Sequence, residues 1–441
     1  MRTRGEIRLK EKIRKYINDN KEELFKTIQE VVRIKSVVGN EQEMQAYMKK
    51  KYEELNLIVH EVEPNYEKVS SHEAFIDSGI PFENRRNIIG IYKGKKMGKS
   101  LTINGHVDVV SPEPLANWTR DPWGGDIIGN KLYGRGSADM KAGLISNWFA
   151  LKALIDLGYP IAGDVQLHSV IEEEAGGGGG TLACLEEGFL TDGYISTEPH
   201  NLNMTISHAG IMYFRVHVIG RTAHAGLAHE GINAISKMMK IFNALDKLND
   251  LRANNVKFEL YEKGSGQSVH LNLGVLNAGD WVSTVPGKAT LEGRIGFIPG
   301  ETRHDIKQLV HNTIMKAVEG DEWMDKNPPM LEWFGWSTDP WYQNPEDPFV
   351  KLFQETAEDV MNRKVDIIGR ASGNDARFTQ YYGKQGLCFG PVGENMHGPD
   401  ECVHLDSVVE VTNVLANYVI NWSESATILN EKKCKTYMKN A

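Results

Sequence analysis

The sequence predicts an α/β protein in which a mixed sheet flanked by helices is interrupted by an inserted ferredoxin-like α+β domain. Apolar runs of strand length alternate with stretches of helical periodicity from about residue 88 to 196, and again after 340. Between these two regions the order is strand, helix, strand, strand, helix, strand, the split βαβ pattern. The 441 residues also exceed one small module at roughly 100 to 200 residues per domain. The expected division is 1–206 with 338–441 for the outer domain and 207–337 for the insertion.

Residues 6–34 carry apolar side chains at helical spacing, among them Ile7, Ile13, Ile17, Leu24, Ile28 and Val31, and a second helix is expected over 41–54. Strands are expected at Ile88–Tyr92 and Leu101–Ile103, the second ending at Asn104-Gly105-His106. A helix over 142–157, a strand at Asp164–Ile171, a helix near 180–188 and a strand at Gly193–Ser196 follow. In the insertion the strands are Ile211–Ile219, Val269–Leu276 and Ala289–Phe297, with an apolar run at Met330–Phe334 and helices at Ala234–Leu251 and Thr302–Val318. The outer texture resumes with a helix at 348–362, strands near Val365–Ile368 and Gly386–Phe389, and a last helix at 406–425.

Composition removes several function classes. Hydrophobic residues make up 41% and charged residues 25%, an ordinary globular balance. Fifty Lys and Arg against 59 Asp and Glu give a net charge of -9, which repels phosphate backbones and anionic bilayers, so no nucleic-acid or membrane partner is expected. Cys184, Cys388, Cys402 and Cys434 form no CxxC pair, which argues against a disulfide framework or a cysteine-based zinc knuckle. The N-terminal segment lacks the apolar core of a signal peptide, and no run of about 18 apolar residues occurs. A reducing, cytoplasmic location is expected. The Gly94–Ser100 segment has three residues between its glycines where a phosphate loop needs four, and a strand follows it.

The chemistry gathers at strand ends. His106-Val107-Asp108, Ser137–Lys141, Glu172-Glu173-Glu174 and Ser196–Pro199 fall at or beside them, and His397–Glu401 lies near the C-terminus. Unpaired carboxylates cost several kcal/mol to bury, so acids at such positions need solvent or a cation. Two histidines with several carboxylates and no cysteine suit zinc, or cobalt or manganese, and a shared carboxylate allows two ions about 3.5–4 Å apart. Each cluster alone has a plainer reading: a structural histidine, a solvated acidic run, a loop histidine. Asp108 two residues after His106 can orient an imidazole, and the five glycines Gly176–Gly180 after the glutamates allow close backbone approach.

The ordered run Gly105-His106-Val107-Asp108, Trp118, Asp121-Pro122-Trp123, Leu132–Lys141, Glu173-Glu174, Glu198-Pro199 and His397–Glu401 resembles the dinuclear zinc amidohydrolases. That family includes acetylornithine deacetylase, succinyl-diaminopimelate desuccinylase, aminoacylase-1 and carboxypeptidase G. The resemblance spans nearly the whole chain. It implies two divalent metal ions per chain, zinc first, with His106 and Glu198 on one, Glu174 and His397 on the other, and Asp139 bridging. It implies Glu173 as general base, Asp108 as the residue orienting His106, and a cis peptide at Asp139-Met140. His224 matches a histidine that stabilises the oxyanion, in many relatives across a dimer. Arg294, expected to end its strand, matches an arginine that grips a substrate carboxylate, and Asn272 and Gly373 match positions lining the same pocket. Arg377 is expected to be structural, paired with a carboxylate near the site.

The implied activity is hydrolysis of N-acyl amino acids or related N-acyl amines through a metal-bridging hydroxide, by a homodimer formed through the inserted lid and dimerisation domain. The alternatives are a dipeptidase or carboxypeptidase of the same mechanism, or a formyl- or carbamoyl-amide hydrolase. Glu172 stands where many relatives have Asp, and Ala142 where many have Gly. The glycine run and the aromatics Trp323, Trp333, Phe334, Trp336 and Trp341 are not general features of that family. For the aromatics, packing between lid and body is preferred over a pocket for a planar group.

Overall fold

The computed structural model describes residues 4–439, with side chains from 8 to 425. Ile7 and Cys434 therefore fall outside the described side chains. The chain forms two compact units. One takes the residues through Ile206, Gln343–Ile367 and the chain from Asn374 onward; the other takes Ser207–Tyr342 and Ile368–Gly373.

The first unit is built on a mixed sheet in the order Ile58–Val62, Asn87–Tyr92, Val165–Val170, Leu101–His106, Gly193–Ser196 and Gln385–Cys388. Its first two pairings are antiparallel, and the last four strands run parallel to one another. Every residue of Leu101–His106, Val165–Val170 and Gly193–Ser196 is buried, as central parallel strands covered on both faces require. Helix Ala142–Asp156 is apolar nearly all round and packs among the sheet and the N- and C-terminal helices.

Several sequence expectations change here. The helix over 6–34 is two helices, Arg4–Asp19 and Lys21–Arg33, because Asn20 leaves helical geometry (φ -113°, ψ 14°). Strand Ile58–Val62 was not anticipated; its exposed edge carries too few apolar residues to stand out. The helix near 180–188 shrinks to Ala183–Glu186, since the preceding glycines take kinked backbone. The last helix extends from Leu405 to Lys439. A second sheet was missed altogether: Gly393–Glu394, Cys402–His404, Lys131–Tyr133 and Asp126–Ile128, strands of two or three residues that carry no periodic signal.

The second unit has four antiparallel strands ordered Leu271–Ala278, Lys288–Phe297, Gly210–Ile219, Met330–Thr338. Helices Ala234–Asn255 and Arg303–Val318 cover one face, with Phe214, Val216, Ile241, Leu245, Leu291 and Val310 in the shared core. A capping box between Thr302 and Asp305 starts the second helix. Trp323 and Trp333 pack against this core, and Phe334 meets Tyr213 in a tilted ring contact with centroids 6.2 Å apart. Among the described residues no helix is long and apolar enough to cross a membrane.

One contact ties this packing to the chemistry. A side-chain carbon at Gly143 would collide with the carbonyl of Thr197, so the helix backbone sits directly on the segment leading to Glu198. Gly143→Ala should lower stability by about 1–3 kcal/mol in urea unfolding, the range for overpacking a fixed contact. Unchanged stability would show that helix and segment are not seated on each other.

Candidate metal centre

Three parallel strands deliver side chains to one edge of the sheet. His106 ends Leu101–His106, Glu173 and Glu174 lie in the short turn after Val165–Val170, and Glu198 follows Gly193–Ser196 by two residues. The register His106↔Val170 and Asn104↔Ser196 puts these ends side by side. At the carboxyl ends of parallel strands the chain leaves the ladder, so side chains from neighbouring strands can converge.

The small sheet supplies the other two. Asp139 follows strand Lys131–Tyr133, while His397 sits in the loop joining Gly393–Glu394 to Cys402–His404. Pairing Cys402↔Tyr133 and the bond from Gly134 N–H to the Glu401 carbonyl (2.9 Å) bring these distant segments together. The Asp139-Met140 peptide is cis.

The resulting geometry centres on Asp139. Its Oδ1 lies 3.2 Å from His106 Nε2 and its Oδ2 lies 3.4 Å from His397 Nε2. Glu174 Oε2 is 3.0 Å from His397 Nε2, and Glu198 Oε1 is 3.8 Å from His106 Nε2. His106, Asp139 and Glu198 form one group, and Asp139, Glu174 and His397 another, with possible ligand atoms in each within 4.8 Å of one another. Glu173 Oε2 stands 3.9 Å from His106 Nε2, beside the first group and part of neither. His106 and Asp108 are fully buried, whereas the His397 side chain is 54% exposed, leaving the centre open on that side.

His106 Nδ1 donates to the backbone carbonyl of Asp108 at 2.8 Å, while the Asp108 carboxylate is 3.6 Å from that nitrogen. The carboxylate instead accepts from the N–H groups of Glu173 (3.3 Å) and Glu174 (3.0 Å). With Nδ1 carrying the proton, Nε2 presents its lone pair to the centre.

Electrostatics favour a cation here. Burial raises Glu198 to about 7 against the pull of His106. Burial and then the charge of Glu198 hold Glu173 well above the carboxylate range. Burial would raise Asp139 as well, but its hydrogen bonds with His106 and His397 hold it below its ordinary value. Hydrogen bonding to Asp139 and Glu174 lifts His397 to about 10. The surrounding carboxylates thus push both imidazoles upward, and divalent ions would balance the same negative charge with neutral imidazoles as ligands. Glu198 Oε1 is buried with no hydrogen-bond partner, as an oxygen reserved for a ligand would be. Imidazole and carboxylate donors without thiolate fit two ions of the zinc, cobalt or manganese kind.

His224, Asn272, Arg294 and Gly373 belong to the second unit. His224 is exposed and accepts from Gly226 N–H through Nδ1 at 3.0 Å. Arg294 does not end its strand: the ladder continues to Phe297, with Arg294 paired to Asn272 on one side and Tyr213 on the other. Arg294 Nη2 donates to the Ala371 carbonyl at 2.8 Å, close in sequence to Gly373. In the first unit, Arg377 is buried, donates to the Gly176 carbonyl at 2.6 Å and lies 3.7 Å from Asp375.

In the sequence Glu401 is only the last member of the His397–Glu401 cluster, with no task of its own. It is fully buried, and its oxygens accept from the N–H groups of Gly136, Ala138 and Asp139 at 3.0–3.1 Å and from Arg135 Nη1 at 2.5 Å. The only signal available was its position four residues after His397.

Comparison with known proteins places this arrangement in a wider group. A formylaminopyrimidine deformylase of Bacillus subtilis, N-formyl-4-amino-5-aminomethyl-2-methylpyrimidine deformylase, is 25% identical over 368 residues, covering 79% of this chain and 85% of its own. The fold matches a tripeptidase from Staphylococcus aureus with a TM-score of 0.71 at 21% identity, over 91% of this chain and 98% of that one. It also matches a Bacillus subtilis protein described as a dinuclear metal-binding peptidase of the M20 family, with a TM-score of 0.64 at 14% identity over 91% and 98%. The model of peptidase family M20/M25/M40 matches residues 102–421, a span that runs from the strand bearing His106 past His397, and the chain belongs to that family.

Proposed function

We propose that this chain is a metal-dependent hydrolase that cleaves the linear amide of an N-acyl amine, N-acyl amino acids foremost, with two zinc ions or cobalt or manganese in their place. The observation that carries the proposal is the Asp139 carboxylate, one oxygen toward each imidazole. His106 and Glu198 would hold one ion, Glu174 and His397 the other, and Asp139 both. Bound at such a centre, divalent ions polarise an amide carbonyl and lower the pKa of water from 15.7 toward roughly 7.

Glu173 Oε2, 3.9 Å from His106 Nε2 and in neither ligand group, supports the reading of Glu173 as general base. Its carboxylate takes the proton of the attacking water and returns it to the departing nitrogen. Asp108 serves twice, orienting His106 through its carbonyl and fixing the Glu173-Glu174 backbone through its carboxylate. The inserted segment, expected over 207–337, would serve as a lid and dimerisation domain for the catalytic domain expected over 1–206 and 338–441, and the second unit differs from it in taking Ser207–Tyr342 with Ile368–Gly373. From it His224 donates to the oxyanion, and Arg294, with Asn272 and Gly373 beside it, grips a substrate carboxylate bidentately. The buried free thiols Cys184, Cys388 and Cys402 support a cytoplasmic location.

The second reading is a dipeptidase or carboxypeptidase with the same centre, supported by the fold shared with the tripeptidase. A formyl-amide substrate is supported by the deformylase relative. Hydrolysis of N-acetyl, N-formyl, N-carbamoyl and N-succinyl amino acids beside dipeptides, with added zinc or cobalt, separates these readings.

Glu173→Gln should keep its metal content and lose turnover by about a hundredfold or more; normal turnover would reject the base assignment. Elemental analysis of the purified protein should find up to two divalent ions per chain, and a metal-free, fully active preparation would end the mechanism. Arg294→Met should raise KM about tenfold or more for substrates carrying a carboxylate, with kcat little changed. An unaltered KM would remove Arg294 from the substrate site.

A further inference from the structure

Glu172 precedes the proposed base and is fully buried in left-handed backbone, with φ at 66°. Glutamate rarely adopts that region, so something must hold it there. Its carbonyl accepts from Ala175 N–H (3.2 Å) and Gly177 N–H (2.6 Å), closing the turn that carries Glu173 and Glu174. Its carboxylate accepts from Arg85 Nη1 at 3.0 Å. Arg85 in turn is bidentate to Glu41, with Nε and Nη2 at 3.0 and 2.6 Å from the two oxygens. All three residues are nearly or wholly inaccessible.

The same segment fixes the flanks of the turn. Asn87, two residues after Arg85, accepts from Ile171 N–H at 3.0 Å and donates to the Gly179 carbonyl at 2.8 Å. The glycine run has a purpose in this arrangement. A side-chain carbon at Gly179 would come within 2.7 Å of Glu172 Oε2 and 2.5 Å of Phe82, closing the space the ion pair occupies.

Removing one partner from a buried pair leaves an uncompensated charge, so such a contact holds geometry strongly. We propose that Arg85 is the positioning residue of the proposed base: through Glu172 it fixes the turn that aims the Glu173 carboxylate. This rests on Glu173 acting as base, and the test separates the two ideas. Arg85→Met, Arg85→Lys and Glu172→Gln are made in the full-length, metal-loaded protein, and each is measured for kcat, KM, bound metal and amide hydrogen exchange.

Arg85→Met and Glu172→Gln should lower kcat by about tenfold to a hundredfold, the scale of a misplaced catalytic group. KM should stay within about twofold, with metal content unchanged. Exchange should quicken at residues 172–177 and stay unchanged in helix Ala142–Asp156. Arg85→Lys, which keeps the charge and loses the fork, should recover part of kcat. Should Arg85→Met not fold, the other two variants are read by the same criteria. Wild-type kcat in the folded variants, or exchange quickened evenly through the chain, would overturn the positioning role. An active Glu173→Gln enzyme whose Arg85 variants still loosen residues 172–177 would instead reject the base and keep the clamp.

Discussion

The Asp139 carboxylate, placed between the His106 and His397 imidazoles with one oxygen toward each, is the contact on which the rest of the centre depends. It joins two segments that no local sequence pattern connects, a strand end of the large sheet and a loop of the small one. Burial works against such a carboxylate unless charge or hydrogen bonds favour its ionised form. The two imidazoles do so on the side of the centre, and Glu401 fixes the backbone behind it.

The support around the centre is itself ionic and buried. Glu401 with Arg135 carries the Asp139 loop, and Glu41 with Arg85 and Glu172 carries the glutamate turn. Lys141 is fully buried and donates to the carbonyls of Val31 (2.9 Å) and Ile34 (2.7 Å), tying the same loop to the end of helix Lys21–Arg33. Apolar packing of similar volume often matches or exceeds such pairs in stability, so their presence around one edge of the sheet is better explained by the geometry they impose. Apolar contacts tolerate small shifts, whereas a bidentate guanidinium fixes direction as well as distance.

Much of this was legible in the sequence because strand ends were. His106 ends, and Glu173, Glu174 and Glu198 closely follow, short apolar runs, which mark strands buried on both faces as continuous stretches. Asp139 and His397 were assigned by resemblance to a known motif; the small sheet that unites them has strands too short to leave a pattern. Arg85, Glu41 and Glu401 were invisible as a group, because a charged residue looks solvated until its burial is known. Spacing put the Asp108 carboxylate near His106, where it lies 3.6 Å from Nδ1, but gave no sign of its bonds to the Glu173 and Glu174 amides, which depend on the fold. Asn20 shows the same limit locally, since apolar spacing carries across a one-residue break that backbone geometry does not.

Calorimetric titration of zinc into metal-free Asp139→Asn protein, beside the parent chain, tests the shared carboxylate most directly. If Asp139 serves both groups, the parent binds two ions per chain and the variant loses high-affinity binding at both positions together. Two ions bound by the variant as tightly as by the parent would contradict a centre built on Asp139.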